Sequence, residues 1–237
     1  MTASLTPVAI AHTPFRQKFA IPRQAGLLDV PAVIELLPPY NDPVAVSGLE
    51  QVSHIWLLFL FHQHLDRPAA LQVRPPRLGG NKKLGVFASR SSFRPNHIGQ
   101  SVVALERIEQ QGQQLLLHVR GIDLLDGTPV LDIKPYLPYA DSLPQASNGI
   151  AGTAPALDSL SVSWQTQAQR QLQQLAGDQA GRLQHWINGL IGLDPRPAYR
   201  HTEAQGDYTM QLSGLDIHWQ VSDDKALVTA ITRVEET

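Results

Sequence analysis

Short apolar runs, separated by turns rich in Pro, Gly and Asn, fill the first two thirds of the chain. Such runs predict strands, and many short strands with frequent turns favour a β-barrel or a β-sandwich. The run Ser53–Phe61 is apolar on both faces, which is typical of a central strand. The other strands of this region are predicted at Thr6–His12, Ala32–Leu36, Leu84–Ala88, Ser101–Ile108, Leu115–Arg120 and Val130–Lys134.

The pattern changes near residue 140, where Ala, Ser, Pro and Gly predominate and predict a linker over residues 146–159. Beyond it, apolar residues between Leu183 and Ile191 recur at spacings of three and four, as on one face of a helix. A shorter helix is predicted at Gln167–Leu175. The last predicted strands are Tyr208–Leu212, Asp216–Val221 and Leu227–Ile231. We therefore predict a mostly β protein with two domains, residues 1–145 and a small α+β domain at residues 160–237.

The composition, with 43% hydrophobic and 17% charged residues among 237, is that of a globular protein. No apolar run approaches the length of a membrane span, and no basic flank precedes an apolar stretch at the N-terminus. We therefore expect no membrane segment and no signal peptide. The chain has no cysteine, which excludes disulfides, thiolate zinc sites and thiol nucleophiles. This composition is compatible with the cytoplasm.

Basic residues are concentrated in one part of the chain, although the net charge is only −2. No acidic residue lies between Asp66 and Glu106. A basic segment in an otherwise acidic chain favours a polyanionic partner, and the alternative is a solvated loop. Seven of the 19 basic residues lie in this acid-free segment: Arg67, Arg74, Arg77, Lys82, Lys83, Arg90 and Arg94.

Two polar motifs border the predicted strands, and neither a dinucleotide-binding glycine motif nor a Walker A motif is present. The turn Ile21–Gln24 offers Arg and Gln donors for a carboxylate or an adenine edge, but ordinary surface turns also have this composition. His62–Asp66 follows the apolar strand. If the strand continues, His62 and His64 point the same way, which is compatible with a metal site or with contacts to a ligand.

The segment Gly85–Gly99 combines glycine, which permits close backbone approach to a ligand, with arginine, which donates in a rigid fork. Phe87 and Phe93 lie among its basic residues and suit base stacking or core packing. For Phe87 we predict core packing.

Acidic residues mark two further loops. Asp126-Gly127 predicts a hairpin turn, so Asp126 is interpreted as a turn residue. The carboxylate of Asp123 is available for a hydroxyl, an amine or a sulfonium. In the tail, Asp194–Arg200 is stiffened by two prolines, and it suits either a substrate-binding loop or a braced connection between helix and strand.

Taken in order, these segments resemble the TrmO family, also described as TsaA-like proteins. Two positions depart from the family pattern: His97 stands where proline is expected, and His64 is not part of the pattern. The likeness extends from the first predicted strand to the last, on the segments KFAIPRQ, FHQ, VRPPRLGGN, GVFASRSSFRPN, DLLDGTPVLDIKPYLP and DPRPAYR.

The resemblance implies an antiparallel β-barrel domain, a homodimer and a metal-free enzyme of the cytoplasm. It implies S-adenosylmethionine as cofactor and the anticodon stem-loop of tRNA as partner. The reaction it implies is methylation of the exocyclic nitrogen of threonylcarbamoyladenosine next to the anticodon. Two alternatives remain open: a non-catalytic module that binds S-adenosylmethionine or RNA, and a methyltransferase for another acceptor.

Three groups of site residues follow from the resemblance and from the charge pattern. The expected catalytic residues are Asp194, Arg196 and Tyr199, with Arg196 binding the threonyl carboxylate. The expected substrate- or tRNA-binding residues are Lys82, Lys83, Arg94, Asn96 and Arg200. The expected cofactor-binding residues are Pro22, Arg23, Gln24, His62, Gln63, Arg90, Gln100, Gly121, Ile122, Asp123 and Leu124.

Overall fold

Six strands close into an antiparallel barrel in the computed structural model, which describes residues 4–75, 83–150, 156, 158–196 and 205–234. The first eight strands in chain order are β1 (Ala9–His12), β2 (Pro31–Leu36), β3 (His54–Leu60), β4 (Gln72–Val73), β5 (Leu84–Gly85), β6 (Ile98–Gln111), β7 (Gln114–Arg120) and β8 (Thr128–Pro135). The order around the barrel is β1, β2, β7, β6, β3 and β8, and β8 pairs back with β1. Strands β4 and β5 form a separate two-stranded ribbon. The predicted antiparallel barrel is confirmed.

The barrel interior is filled by its own side chains. Burial alternates along β2, β3 and β7, because successive side chains of a strand point to opposite faces. Small residues of β1 and branched residues of the other strands meet inside, as expected for a barrel of this size. Fully buried members of this core include Ala9, Ala11, Ile34, Ile55, Leu57, Leu117, Val119 and Val130.

The C-terminal region is a small α+β unit. Its strands are β9 (Ser161–Trp164), β10 (Gln205–Leu212), β11 (Leu215–Ser222) and β12 (Lys225–Arg233), in the sheet order β10, β11, β12, β9. After the short helix α1 (Pro138–Asp141), the helices are α2 (Thr166–Ala176) and α3 (Ala180–Gly192). Helix α3 buries the predicted apolar face, from Leu183 to Ile191. None of the described helices has the length and apolar character needed to cross a membrane.

Strand β9 was not predicted, because its four residues alternate Ser with Val and Trp and carry too little pattern of their own. It pairs in parallel with β12, at the far end of the chain. A parallel pair needs a crossover, which the two long helices supply. The pairing is therefore a tertiary feature that no local pattern shows.

The C-terminal unit packs on the loop between β1 and β2, and one hydrophobic core includes residues of both. A Cβ on Gly189 of α3 would lie 2.4 Å from a methyl carbon of Leu28, so glycine permits this close approach. The amide of Ser213 donates to the carbonyl of Pro14 at 2.9 Å. The rings of Phe19 and Tyr208 stack with centroids 6.4 Å apart.

Two local predictions differ from the structure. The predicted strand Leu84–Ala88 is strand only at Leu84–Gly85 and continues as a 3-10 helix over Val86–Ala88. Asp126-Gly127 forms a turn, but its flanking strands β7 and β8 are not neighbours in the barrel, so it is not a hairpin. The Asp126 carboxylate instead accepts from the amide of Thr13, at 2.9 Å.

A buried ion pair closes the end of α3. Asp194 and Arg196 are only 7% and 3% exposed, whereas the sequence suggested groups presented by a surface loop. The Arg196 guanidinium donates through Nε and Nη2 to the two oxygens of Asp194, each at 2.7 Å. The Asp194 carboxylate raises the pKa of Arg196 above its usual range. The carbonyl of Arg196 accepts from the Arg23 guanidinium at 3.0 Å, which connects this turn to the barrel domain.

Removal of one partner of this ion pair should destabilise the protein more than removal of both charges. Arg196→Ala leaves a buried carboxylate without its cation and should lower the free energy of unfolding by about 3–5 kcal/mol. The double variant Asp194→Asn with Arg196→Met keeps most of the volume without either charge and should lose less. Denaturant unfolding of the three proteins measures the difference. If both variants lose the same free energy of unfolding, the charge of Asp194 is not buried.

Candidate functional site

A cavity of about 340 Å³ opens at the end of the barrel where β3 stops. Its walls come from the end of β3, from the loop after β7, from the loop between β1 and β2, and from the segment before β6. The lining residues are Lys18, Ile21, Arg23, Phe59, Leu60, Phe61, His62, Gln63, His64, Arg90, Ser92, Asp123, Leu124, Leu125 and Thr128.

Two phenylalanines form the apolar floor of the cavity. Phe59, in β3, pairs with Gly99 of β6, and a Cβ on Gly99 would lie 2.5 Å from the Phe59 ring. Glycine is therefore required for the ring to lie against the neighbouring strand. Phe61 meets Phe59 edge to face, with centroids 5.2 Å apart.

The segment after β3 does not continue as a strand. His62–His64 is a 3-10 helix, so the prediction that His62 and His64 share one strand face is wrong. Both nevertheless line the cavity, with His64 buried. Burial lowers the pKa of both imidazoles below the usual value, and the neighbouring charge of Lys18 lowers them further.

The loop after β7 brings a carboxylate into the cavity. Gly121 has a φ of 79°, and a Cβ there would lie 3.2 Å from the backbone of Gly26, so this turn suits glycine. Two residues later, Oδ1 of Asp123 is buried and accepts no hydrogen bond from the described residues. Burial raises the pKa of Asp123 to about 6, although hydrogen bonds from Ser101 and the backbone and the charge of Arg90 oppose the shift.

Cationic groups surround this carboxylate. Arg23 and Arg90 line the cavity together with Lys18. Arg90 donates to the side-chain oxygen of Gln24, which ties the predicted Pro22–Gln24 turn to the segment before β6. The arrangement offers one buried anion and several cations to a ligand with charges of both signs.

The structure therefore brings together six of the eleven expected cofactor-binding residues. Gln24 is connected to the cavity through Arg90. Pro22 and Ile122 are buried, and Gly121 shapes the turn. Gln100 is exposed on β6 beside Leu58. The six that line the cavity are Arg23, His62, Gln63, Arg90, Asp123 and Leu124.

The acid-free basic segment lies around the ribbon and the turn before β6. Lys83 and Asn96 are exposed, and Arg94 donates to the carbonyl of Ser89 at 3.0 Å. Phe87 is 80% exposed, so the prediction that it packs in the core is wrong. Phe87 lies in the 3-10 helix Val86–Ala88, in which Val86 is the buried residue.

The structure describes two of the three expected catalytic residues, Asp194 and Arg196. Asp194 and Arg196 do not line the cavity, but the carbonyl of Arg196 lies 3.0 Å from Nη2 of Arg23, which does. Lys82, Tyr199 and Arg200 lie outside the described residues. Within the described ranges, no three His, Cys, Asp or Glu side chains are grouped so that they could hold a metal ion.

Sequence reasoning missed several lining residues, among them the polar residues Lys18, Ser92 and Thr128. Lys18 lies five positions before Arg23 in the same loop, within the segment that carried the resemblance. Its neighbours in space, His64 and Arg67, are more than 40 positions away. No spacing signal could have joined them.

Comparison with known proteins identifies the family in both halves of the chain. Residues 10–142 match the family model of the tRNA-methyltransferase O N-terminal domain, and residues 158–234 match the TrmO C-terminal domain. A crystal structure of TrmO from Pseudomonas aeruginosa superimposes with a TM-score of 0.78 at 42% identity, covering 99% of this chain and 98% of that one.

Two relatives extend over nearly the whole chain. An Escherichia coli K12 protein named tRNA (adenine(37)-N6)-methyltransferase is 44% identical over 218 residues, which cover 91% of this chain and 92% of that protein. A Pseudomonas aeruginosa protein, RcsF, is 50% identical over 220 residues, covering 92% and 93%, and its name provisionally assigns it to the S-adenosylmethionine-dependent methyltransferases. With both domains matched in order and with relatives of this identity, the chain belongs to the TrmO family.

Proposed function

We propose that the chain uses S-adenosylmethionine to methylate the exocyclic nitrogen of threonylcarbamoyladenosine, the modified base next to the anticodon in tRNA. The names of the relatives support the methyl donor and the position of the adenine. The observation in the structure that carries the proposal is Asp123, a buried carboxylate with one unpartnered oxygen in a cavity of about 340 Å³. Such a group fits a ligand with positive charge.

The lining residues suit this cofactor. S-adenosylmethionine, when bound, supplies a methyl group on a positively charged sulfur. The buried carboxylate of Asp123 would attract its cationic groups, because Coulomb attraction is stronger away from water. Phe59 and Phe61 offer apolar surface, and the donors of Arg23, Gln63 and Arg90 are directional. Methyl transfer needs alignment and exclusion of water more than strong acid–base groups.

The acceptor site would be completed by the tail loop. Asp194 holds the Arg196 guanidinium in a buried bidentate pair, which fixes the start of this loop. The backbone of Arg196 already contacts Arg23. We propose that Tyr199 and Arg200, the next polar residues of the loop, contact the modified base and its threonyl group.

The partners follow from the same proposal. The substrate would be the anticodon stem-loop of tRNA in the cytoplasm, with phosphates bound by the acid-free basic segment. The family resemblance supports a homodimer. Exposed apolar residues after the barrel offer a surface for a second copy, namely Leu137, Tyr139, Leu143 and Ile150.

Methyl transfer to tRNA tests the proposal directly. With labelled S-adenosylmethionine, the protein should methylate tRNA that contains threonylcarbamoyladenosine and should not methylate the same tRNA without it. Activity should survive exhaustive chelation. Cofactor binding without transfer would favour a non-catalytic binding module, and transfer to unmodified tRNA would favour another acceptor.

Cofactor affinity should depend on the ionisation of Asp123. A bound cation favours the carboxylate, so binding lowers the pKa of Asp123 from its raised value of about 6 and releases a proton. Affinity should therefore reach a plateau above that pH and fall by up to about tenfold per pH unit below it. Asp123→Asn should bind more weakly and lose most of this dependence. Calorimetry between pH 5 and 8 measures both, and an unchanged profile in the variant would refute the role of Asp123.

Affinity for tRNA should fall as salt rises, because bound phosphates release counterions. Lys83→Glu should weaken tRNA binding and reduce the slope against log salt by about one unit for a lost phosphate contact. It should leave the Kd for S-adenosylmethionine unchanged. Lys225→Glu, the same change at an exposed position on β12, is the matched control. Equal effects of the two variants would show that the acid-free segment is not an RNA contact.

A further inference from the structure

Lys18 is a cation of the cavity that has no acidic partner in the part of the chain that the structure describes. Lys18 is an exposed residue of the loop between β1 and β2, and its side chain lines the cavity. Its Nζ donates to Nε2 of His64 at 2.9 Å. Among the described residues, Lys18 forms no ion pair with Asp, Glu or a terminus. An ammonium has three N–H donors, so the bond to His64 leaves capacity for a ligand.

The neighbours of Lys18 increase the local positive charge. Partial burial lowers the pKa of Lys18, and the nearby charge of Arg67 lowers it further. The charge of Lys18 in turn lowers the pKa values of His62 and His64. We call these four residues, Lys18, His62, His64 and Arg67, the basic corner. The positive charge of this corner comes from Lys18 and Arg67, and neither forms an ion pair with a carboxylate of the described residues. Such a corner attracts an anionic group of a ligand.

His64 is held so that its ring accepts from Lys18. The ring stacks on Phe93 with centroids 4.6 Å apart and planes 25° apart. The guanidinium carbon of Arg67 lies over the same Phe93 ring, 5.8 Å from its centroid. Burial and the surrounding cations lower the pKa of His64, which favours the neutral imidazole, and a neutral imidazole can accept the hydrogen bond through Nε2. The stack therefore fixes the position of His64 Nε2. Because Nε2 accepts from Lys18, the stack also holds the Lys18 ammonium in the cavity.

We propose that Lys18 binds a carboxylate in this cavity and that His64 is its positioning residue. The inference rests on the proposed function, in which two molecules carry such a group. One is the amino-acid end of S-adenosylmethionine, and the other is the threonyl group of the modified adenosine. Lys18 and Asp123 line one cavity, so together they match a ligand that carries a carboxylate and a cationic group.

Calorimetry with three ligands tests whether Lys18 binds the carboxylate of the cofactor. S-adenosylmethionine and S-adenosylhomocysteine carry the carboxylate, whereas 5′-methylthioadenosine lacks the whole amino-acid end. If Lys18 binds the cofactor, Lys18→Met should lower the affinity for S-adenosylmethionine and S-adenosylhomocysteine by about 10- to 100-fold. The affinity for 5′-methylthioadenosine should be unchanged. Lys18→Arg should retain most of the affinity. Lys225→Met, the same change on the remote strand β12, is the matched control and should alter nothing.

Methyl transfer to an anticodon stem-loop tests whether Lys18 binds the threonyl carboxylate of the substrate. The oligonucleotide carries threonylcarbamoyladenosine with its carboxylate either intact or capped as a methylamide. If Lys18 binds the substrate, Lys18→Met should raise KM about tenfold or more for the intact oligonucleotide, and capping should cause little further loss in the variant. The wild-type protein should lose activity on capping. The Kd for S-adenosylmethionine should then be unchanged.

Two substitutions at His64 separate positioning from packing. His64→Gln keeps an acceptor for Lys18 but loses the aromatic stack, whereas His64→Phe keeps the stack but loses the acceptor. If His64 acts through Lys18, the glutamine variant should retain the carboxylate-dependent affinity or KM better than the phenylalanine variant, whatever their melting temperatures. The opposite order would show that His64 only supports the fold.

The proposal is overturned if Lys18→Met and Lys225→Met have the same affinities for the three ligands and the same KM for the oligonucleotide. It is also overturned if all three calorimetric ligands weaken equally, because the loss would then be unrelated to the carboxylate. Failure of the proposed function has a different result: the wild-type protein itself transfers no methyl group to the intact oligonucleotide. The calorimetric arm does not depend on that transfer.

Discussion

The six-stranded barrel is filled by its own side chains, and this constraint places the cavity and its charged groups at the end of the barrel. Inside, Ile34, Ile55 and Leu117 are fully buried and leave the interior to packing. The cavity lies where the chain leaves the strands. Strand β3 ends there in the His62–His64 turn, and the loop after β7 returns to the same edge with Asp123. The barrel thus acts as a rigid base for loops that are far apart in the sequence.

Charge distribution gives this end of the barrel its chemical character. A buried carboxylate with one unpartnered oxygen lies among lysine, arginine and histidine side chains. Without a ligand, burial of Asp123 is unfavourable, as its raised pKa indicates. Such an arrangement suits a ligand that carries both signs of charge, and it is compatible with a methyl donor of the sulfonium type. The site is tuned by electrostatics more than by shape.

The C-terminal unit contributes through its contact with the same loop. Leu28 packs against Gly189, and the carbonyl of Arg196 accepts from Arg23. The buried Asp194–Arg196 pair holds the turn that follows α3. This turn and the Arg23 side chain of the cavity are therefore directly connected. The long loop between β1 and β2 therefore contributes both to packing and to the cavity.

The sequence by itself determined the mostly β class, the apolar face of α3 and the segments that carry the family likeness, because these depend on local periodicity and residue order. It did not determine the pairing of β9 with β12, the turn that replaces a strand at His62, or the exposure of Phe87. These depend on which distant segments pack together. Lys18 shows the difference most clearly, since its acceptor His64 lies 46 positions away. Only closure of the barrel brings the two together, because hydrogen bonding and burial depend on distance in space and not on distance along the chain.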